Sequence, residues 1–264
     1  MDLQLKGKTA FITGSTQGIG LATAKRLLEE GATVIINGRS EERVVEAIEK
    51  LRNNSPDVHI SGIAADFSKV EEVNALLEKL PDVDILINNA GIFEPKPFAE
   101  ISDEDWFRFF EVNVMSGVRL SRALFPKMLD KNWGRIIFIS SESGVNIPEE
   151  MIHYGMTKTA QLAVSRGLAE LTKGTGVTVN SVLPGPTRSE GVAEFVKQLA
   201  AAGNVTQEDA ENDFFKTARP TSLLQRFASV DEIANLIAYV SSPLSSATNG
   251  SALKVDGGVA KFII

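Results

Sequence analysis

Thr13-Gly14-Ser15-Thr16-Gln17-Gly18-Ile19-Gly20 stands between the short apolar run Thr9-Ala10-Phe11-Ile12 and an amphipathic stretch that begins Leu21-Ala22-Thr23-Ala24. Strand, glycine-rich turn, then helix is the order that suits a diphosphate. Glycine lets the backbone turn sharply and come close to the ligand. The helix behind it offers free N–H groups and the positive end of its dipole.

Outward from that turn, apolar runs alternate with amphipathic ones. The pattern predicts a helix over 20–30 stopped by Gly31, a strand over 33–37 and a helix over 41–52. A third strand follows at 58–65, a helix at 70–80 and a fourth strand at 84–88. Two helices are expected at 103–114 and 116–129, and a fifth strand at 135–140. A long helix over 153–171, a sixth strand over 177–182, a helix over 230–240 and a last strand over 252–255 complete the series. Alternating strands and helices, with strands apolar on both faces, imply a parallel sheet covered on both sides. The expectation is one open, Rossmann-like, doubly wound α/β domain of about seven parallel strands over 1–264. Only 190–219 is irregular. Val192, Phe195, Val196 and Leu199 recur there at helical spacing and read as an inserted helical flap.

Composition narrows the function. A net charge of −7 argues against nucleic-acid partners, which need a basic surface. There are no cysteines and two histidines, His59 and His153, so thiolate zinc and histidine-rich metal sites are excluded. The early glycine turn leaves no room for a leader, and no run has the length of a membrane helix, so a cytoplasmic protein is expected.

Tyr154 and Lys158 are four apart on the 153–171 helix and share one face. A close ammonium favours a phenolate and lowers a tyrosine pKa by about 1–3 units, which would fit Tyr154 for proton exchange with a carbonyl or alcohol. Ser141 follows the fifth strand, at the carboxyl edge where open parallel sheets bind ligands. Its hydroxyl can donate to an oxygen gaining charge, with Ser140 and Ser143 as rivals. His153 adjoins Tyr154 but points elsewhere on the helix and reads as a structural or wall residue.

The spacing T-G-x-x-x-G-x-G resembles the short-chain dehydrogenase/reductase family. So do Asn88-Asn89-Ala90-Gly91 after the fourth strand, Asn113, Ser141 thirteen residues before Tyr154, Tyr154-x-x-x-Lys158, Pro184-Gly185, and Val255-Asp256-Gly257-Gly258, all in family order. The resemblance implies a nicotinamide-dependent oxidoreductase with Asn113, Ser141, Tyr154 and Lys158 as catalytic residues. Tyr154 would exchange the proton, and Lys158 would also bind the nicotinamide ribose. Asn113 would hold a helix kink and a water that relays protons to the lysine. Gly14, Ser15, Thr16, Gln17, Gly18, Ile19 and Gly20 would form the phosphate turn. Asp66 and Phe67 would meet the adenine, Asp66 being alternatively the N-cap of the following helix. Asn89 and Gly91 would wall the ribose, and Pro184, Gly185 and Thr187 the nicotinamide. These last groups also read as ordinary turn formers.

Gly38 stands where family members that prefer NAD carry an aspartate, and Arg39 follows it. A guanidinium suits a 2′-phosphate, so NADP(H) is expected over NAD(H); a solvated arginine opening the next helix is the alternative. The phenylalanines of 190–219, with Ile92, Phe93 and Ile147, suggest an apolar substrate pocket for a small carbonyl or alcohol. The stripe Ala160, Val164, Leu168, Leu171 and the resemblance together imply a homo-oligomer, a tetramer or dimer. The competing function is an NADP(H)-binding sensor on the same fold. A sugar-nucleotide epimerase is a poorer match, since its G-x-x-G-x-x-G turn and large C-terminal domain are missing.

Overall fold

In the computed structural model, which describes residues 1–54 and 57–263, the period-two alternation of the strands decides which side chain faces which layer. The elements are β1 (Thr9–Ile12), α1 (Gly18–Glu29), β2 (Thr33–Gly38), α2 (Glu41–Asn54), β3 (Ile60–Ala64), α3 (Val70–Lys79) and β4 (Ile85–Asn88). Then come α4 (Asp103–Phe110), α5 (Ser116–Asp130), β5 (Gly134–Ile139), α6 (Ile152–Glu170), β6 (Val177–Pro184) and β7 (Thr187–Arg188). The chain continues through α7 (Glu190–Gly203), α8 (Gln207–Thr217), β8 (Ala228–Ser229), α9 (Val230–Ser241) and β9 (Ala252–Val255).

Seven strands form one parallel sheet in the order β3-β2-β1-β4-β5-β6-β9. Ile12, Ile36, Ile87 and Ile137 point to one face and pack with α1, α2 and α9. Their strand neighbours Phe11, Ile35, Leu86 and Ile136 point to the other and pack with α3, α5 and α6. The strand order reverses between β1 and β4, and ligands of such sheets lie in the crevice beyond the strand ends at that point.

The stretch 190–219 contains α7 and α8, capped by Ser189 and Thr206. They close a small apolar cluster of their own, built from Val196, Ala200, Ala210, Phe215 and Phe227. Val164 and Leu168 of the α6 stripe pack against the second sheet core, whereas Leu171 is exposed.

One predicted helix is different. The turn expected to run 103–114 stops at Phe110, and Glu111–Met115 is a π-helical turn leading into α5. Asn113 explains the bulge: its side chain is bonded to the main chain of Ile92 and to Thr157, which draws the backbone out of the α-helical path.

Candidate active site

The turn after β1 is stitched to the end of β4. Thr13 Oγ1 accepts hydrogen bonds from Asn89 N (2.9 Å) and Ala90 N (2.8 Å), and Asn89 Nδ2 donates to the carbonyls of Thr13 and Gly14, both at 2.9 Å. Gly14 and Gly18 both have φ of +58°, and a Cβ on Gly14 would stand 3.1 Å from Ala90 Cα. The turn therefore tolerates no side chain there. Gly20 serves packing: a Cβ would come within 2.6 Å of the Gly14 carbonyl and of Asn89 Nδ2. Ser15, expected in the phosphate turn, is buried, donating to Ile12 O (2.7 Å) and accepting from Asn37 N (2.9 Å). The groove wall is left to Gly14, Thr16, Gln17, Gly18 and Ile19, without Ser15 or Gly20.

This groove, ≈ 580 Å³, runs from the β2 end to the α7–α8 side. At the β2 end Gly38 sits against Thr16, and any Cβ would lie 2.5 Å from Thr16 Cγ2. Arg39 lines the groove, and so does Arg43, which sequence reasoning missed. Both are exposed, and among the described residues neither makes a hydrogen bond or ion pair through its guanidinium. Asp66 and Phe67 form the facing wall. Burial alone would raise the Asp66 pKa, but hydrogen bonds from Ser68 and the charges of Lys69 and Arg39 hold it below the usual range. Asp66 is not the cap of α3, because Lys69 holds that position without a side-chain bond.

A dinucleotide fits these residues. The turn has backbone room and donors for a diphosphate, and the groove continues from it to the end of β2, where Arg39 and Arg43 line it. One donor is already engaged: Gly18 N–H bonds Glu190 Oε2 at 2.8 Å, so a carboxylate from the start of α7 sits on the first turn of α1.

At the other end Ser141, Tyr154 and Lys158 face one space beside Gly91. The Lys158 ammonium lies 5.6 Å from the centre of the Tyr154 ring and donates to Ile139 O (2.9 Å) and Gln161 Oε1 (3.3 Å). Burial pulls its pKa down to about 8. The expected acidification of Tyr154 by Lys158 is not what this geometry produces. Desolvation and the Glu142 carboxylate push the phenol up, and only the Ser141 hydrogen bond and Arg219 pull the other way.

Asn113 is fully buried behind this wall and does not line the groove. Its carbonyl accepts from Gln161 Nε2, whose other amide atom holds Lys158. The side chain of Gln161 thus bridges the Asn113 carbonyl and the lysine. Sequence reasoning missed that residue, although its position one turn after Lys158 was a signal.

Pro184, Gly185 and Thr187 close the groove beyond β6. A Cβ on Gly185 would strike the Asp256 carbonyl at 2.4 Å, which accounts for the Val255-Asp256-Gly257-Gly258 segment behind it. The substrate side holds Phe93, Phe195, Phe214 and Phe227, but neither Ile147 nor Phe215 reaches it. The pocket is also less apolar than expected. Arg219, Glu142 and Glu150 line it, joined by ion pairs at 2.9 and 3.1 Å. His153 is fully buried between Trp106 and Phe109, away from the groove.

Residues 8–200 match the family model described as short chain dehydrogenase. The chain is a short-chain dehydrogenase/reductase. As such it is an NAD(P)-dependent oxidoreductase acting on a CH–OH or C=O group. Two oxidoreductases of Bacillus subtilis (strain 168), YvaG and YvrD, are 51% and 53% identical to it, each alignment covering 100% of both chains. Among solved structures, L-sorbose reductase from Gluconobacter frateurii, complexed with NADPH and L-sorbose, superposes with a TM-score of 0.93 at 32% identity, over 100% of each chain.

Proposed function

We propose that this reductase converts a small polar ketone to the secondary alcohol, or the reverse, with NADP(H) as cofactor and Tyr154 as the proton donor and acceptor. The observation that carries the reading is the meeting of Ser141, Tyr154 and Lys158 at one end of a groove whose other end is the glycine turn. The bound nicotinamide supplies or accepts the hydride. Tyr154 Oη gives its proton to the carbonyl oxygen as that oxygen gains charge. The phenol, pushed up by burial and Glu142, is in its protonated, donor form through the neutral range. Lys158, held by Ile139 O and by Gln161, keeps a cation beside the reacting end of the groove. The α7–α8 side covers the pocket and limits water.

Two features favour the phosphorylated cofactor: the unpaired guanidinia of Arg39 and Arg43, and the lack of space at Gly38 for a carboxylate. The charged pocket wall and the named substrate of the L-sorbose reductase neighbour support a hydroxylated ketone such as a ketose. The test is NADPH consumption with a panel of ketoses, plain ketones and keto esters. Tyr154→Phe should lose at least about 100-fold in kcat while still binding NADPH. Full turnover by that variant would end the proposal.

A further inference from the structure

Glu142 is a carboxylate in a place that does not favour one. Its side chain is 5% exposed, directly after Ser141. Oε2 accepts from Ser141 Oγ at 2.5 Å, from Ser143 N at 2.6 Å and from Ser143 Oγ at 2.9 Å. Oε1 accepts from Arg219 Nε at 2.9 Å. A buried carboxylate persists only when donors and a counter-charge surround it. Here one of those donors is the Ser141 hydroxyl, which shares the end of the groove with Tyr154, and the counter-charge comes from the far side of the pocket.

Arg219 belongs to the α7–α8 unit. Its N–H closes the end of α8 on Phe214 O, and its guanidinium lies 5.7 Å from the Phe214 ring. It is 8% exposed and also reaches Glu150 Oε1 at 3.1 Å. The chain of contacts thus runs from that unit through Arg219 and Glu142 to Ser141 and the phenol. The Ser141 O–H is thereby held by Glu142 at the end of the groove that Tyr154 also lines. We propose that Glu142 is a positioning residue for Ser141 and Tyr154, and that Arg219 completes it, so that the reacting hydroxyls are fully oriented only when the α7–α8 unit is docked.

The inference rests on the assignment of Tyr154 and Ser141 made above. Among the described residues, charged groups line this end of the groove from several elements: Arg108 on α4, Glu142 after β5, Glu150 before α6, Lys158 on α6 and Arg219 after α8. Glu142 pushes the phenol up and Arg219 opposes it. Removing either partner alone changes both the orientation of Ser141 and the charge at Tyr154. The charge effect follows from removing Glu142 whatever its role; orientation is read separately, by the recovery of kcat when Gln restores an acceptor for Ser141.

The chain has two tyrosines, so Tyr239→Phe leaves Tyr154 as the sole phenol to follow by ultraviolet absorbance against pH, with circular dichroism marking alkaline unfolding. In that background Tyr154 should stay protonated until the protein unfolds. Glu142→Gln should bring phenolate formation down by roughly one pH unit or more, into the folded range. In steady-state assays Glu142→Ala should lower kcat at least about tenfold with KM nearly unchanged, and Glu142→Gln, which keeps an acceptor for Ser141, should recover part of it. Arg219→Gln should also lower kcat, and the double variant Glu142→Gln/Arg219→Gln should be no worse than the poorer single one. NADPH affinity should hold throughout.

A Glu142→Gln protein with unaltered phenol titration and unaltered kcat overturns the inference, as does a lower melting temperature alone. If Glu142→Gln does not fold, the double variant, with both charges gone, takes its place in the titration. Tyr154→Phe separates the two layers of argument. Should it keep full turnover, the assignment of Tyr154 fails; should it be inactive while Glu142→Gln behaves as wild type, only this inference fails.

Discussion

Lys158 is a buried cation that, among the described residues, has no carboxylate partner and is held by the Ile139 carbonyl and the Gln161 amide. Burial pulls its pKa down to about 8 from the ordinary 10.5. The folded state thus holds this proton more weakly than the unfolded chain does. The corresponding stability is present above about 10.5, is lost as pH falls through to about 8, and stays lost at neutrality. Lys158→Met should therefore stabilise the fold at pH 7, on the order of 2 kcal/mol, while abolishing turnover. The gain should shrink between pH 8 and 10, as urea melts at both ends of that range would record; a variant less stable at pH 7 contradicts the argument. At the opposite end of the groove, Arg39 and Arg43 are free to meet a 2′-phosphate. Replacing both with alanine should weaken NADPH binding about tenfold or more while leaving NADH nearly unaffected, read by fluorescence titration. Equal losses for both nucleotides would remove the basis for NADP(H) preference.

Among the elements, what the sequence made legible is what repeats locally. Phe11 and Ile12, or Ile35 and Ile36, alternate between two cores because neighbouring strand residues face opposite ways, and that period can be read from the residues themselves. The turn from Thr13 to Gly20 was legible because its glycines are required by backbone geometry. Apart from Arg43, the missed features depend on pairs far apart in the chain. Gln161 meets the Asn113 carbonyl, Arg219 meets Glu142, and Glu190 meets the Gly18 amide, and none of these follows a helical or strand period. The resemblance placed a helix kink at Asn113; its π-helical form follows from Asn113 bonding Ile92 across the loop after β4, which no local period carries. The Glu190 contact carries a consequence for the α7 element. Its carboxylate occupies an N–H at the start of α1, where a diphosphate would draw on the same donors and repel the charge. Glu190→Gln, which keeps the hydrogen bond without the charge, should tighten NADPH binding about two- to fivefold, the range expected for one charge at a helix N-terminus. Unchanged or weaker binding by titration calorimetry would show that Glu190 does not oppose the cofactor.

Across the whole molecule, stability and closure reside in different cores. Two large apolar clusters lie on either face of the sheet, and each draws on several strands and helices. The third cluster is built almost entirely from α7, α8 and Phe227, with Phe214 stacked on Phe227 and Phe215 edge-on to both. It shares no residue with the other two, so losing it need not loosen the sheet. Segments with small separate cores open at lower free energy than the body they cover. Ile137→Ala, in the centre of the sheet, should destabilise global unfolding by about 2–5 kcal/mol. Phe215→Ala removes a comparable side chain from the third cluster, yet it should leave the main unfolding transition nearly in place. Its effect should instead appear as faster amide exchange across α7 and α8, cleavage by protease between Gly203 and Gln207, and a fall in kcat, because Arg219 is carried by the same unit. If Phe215→Ala lowered the global transition as much as Ile137→Ala, the three clusters would be one cooperative unit, and opening of α7–α8 could not be separated from unfolding of the sheet.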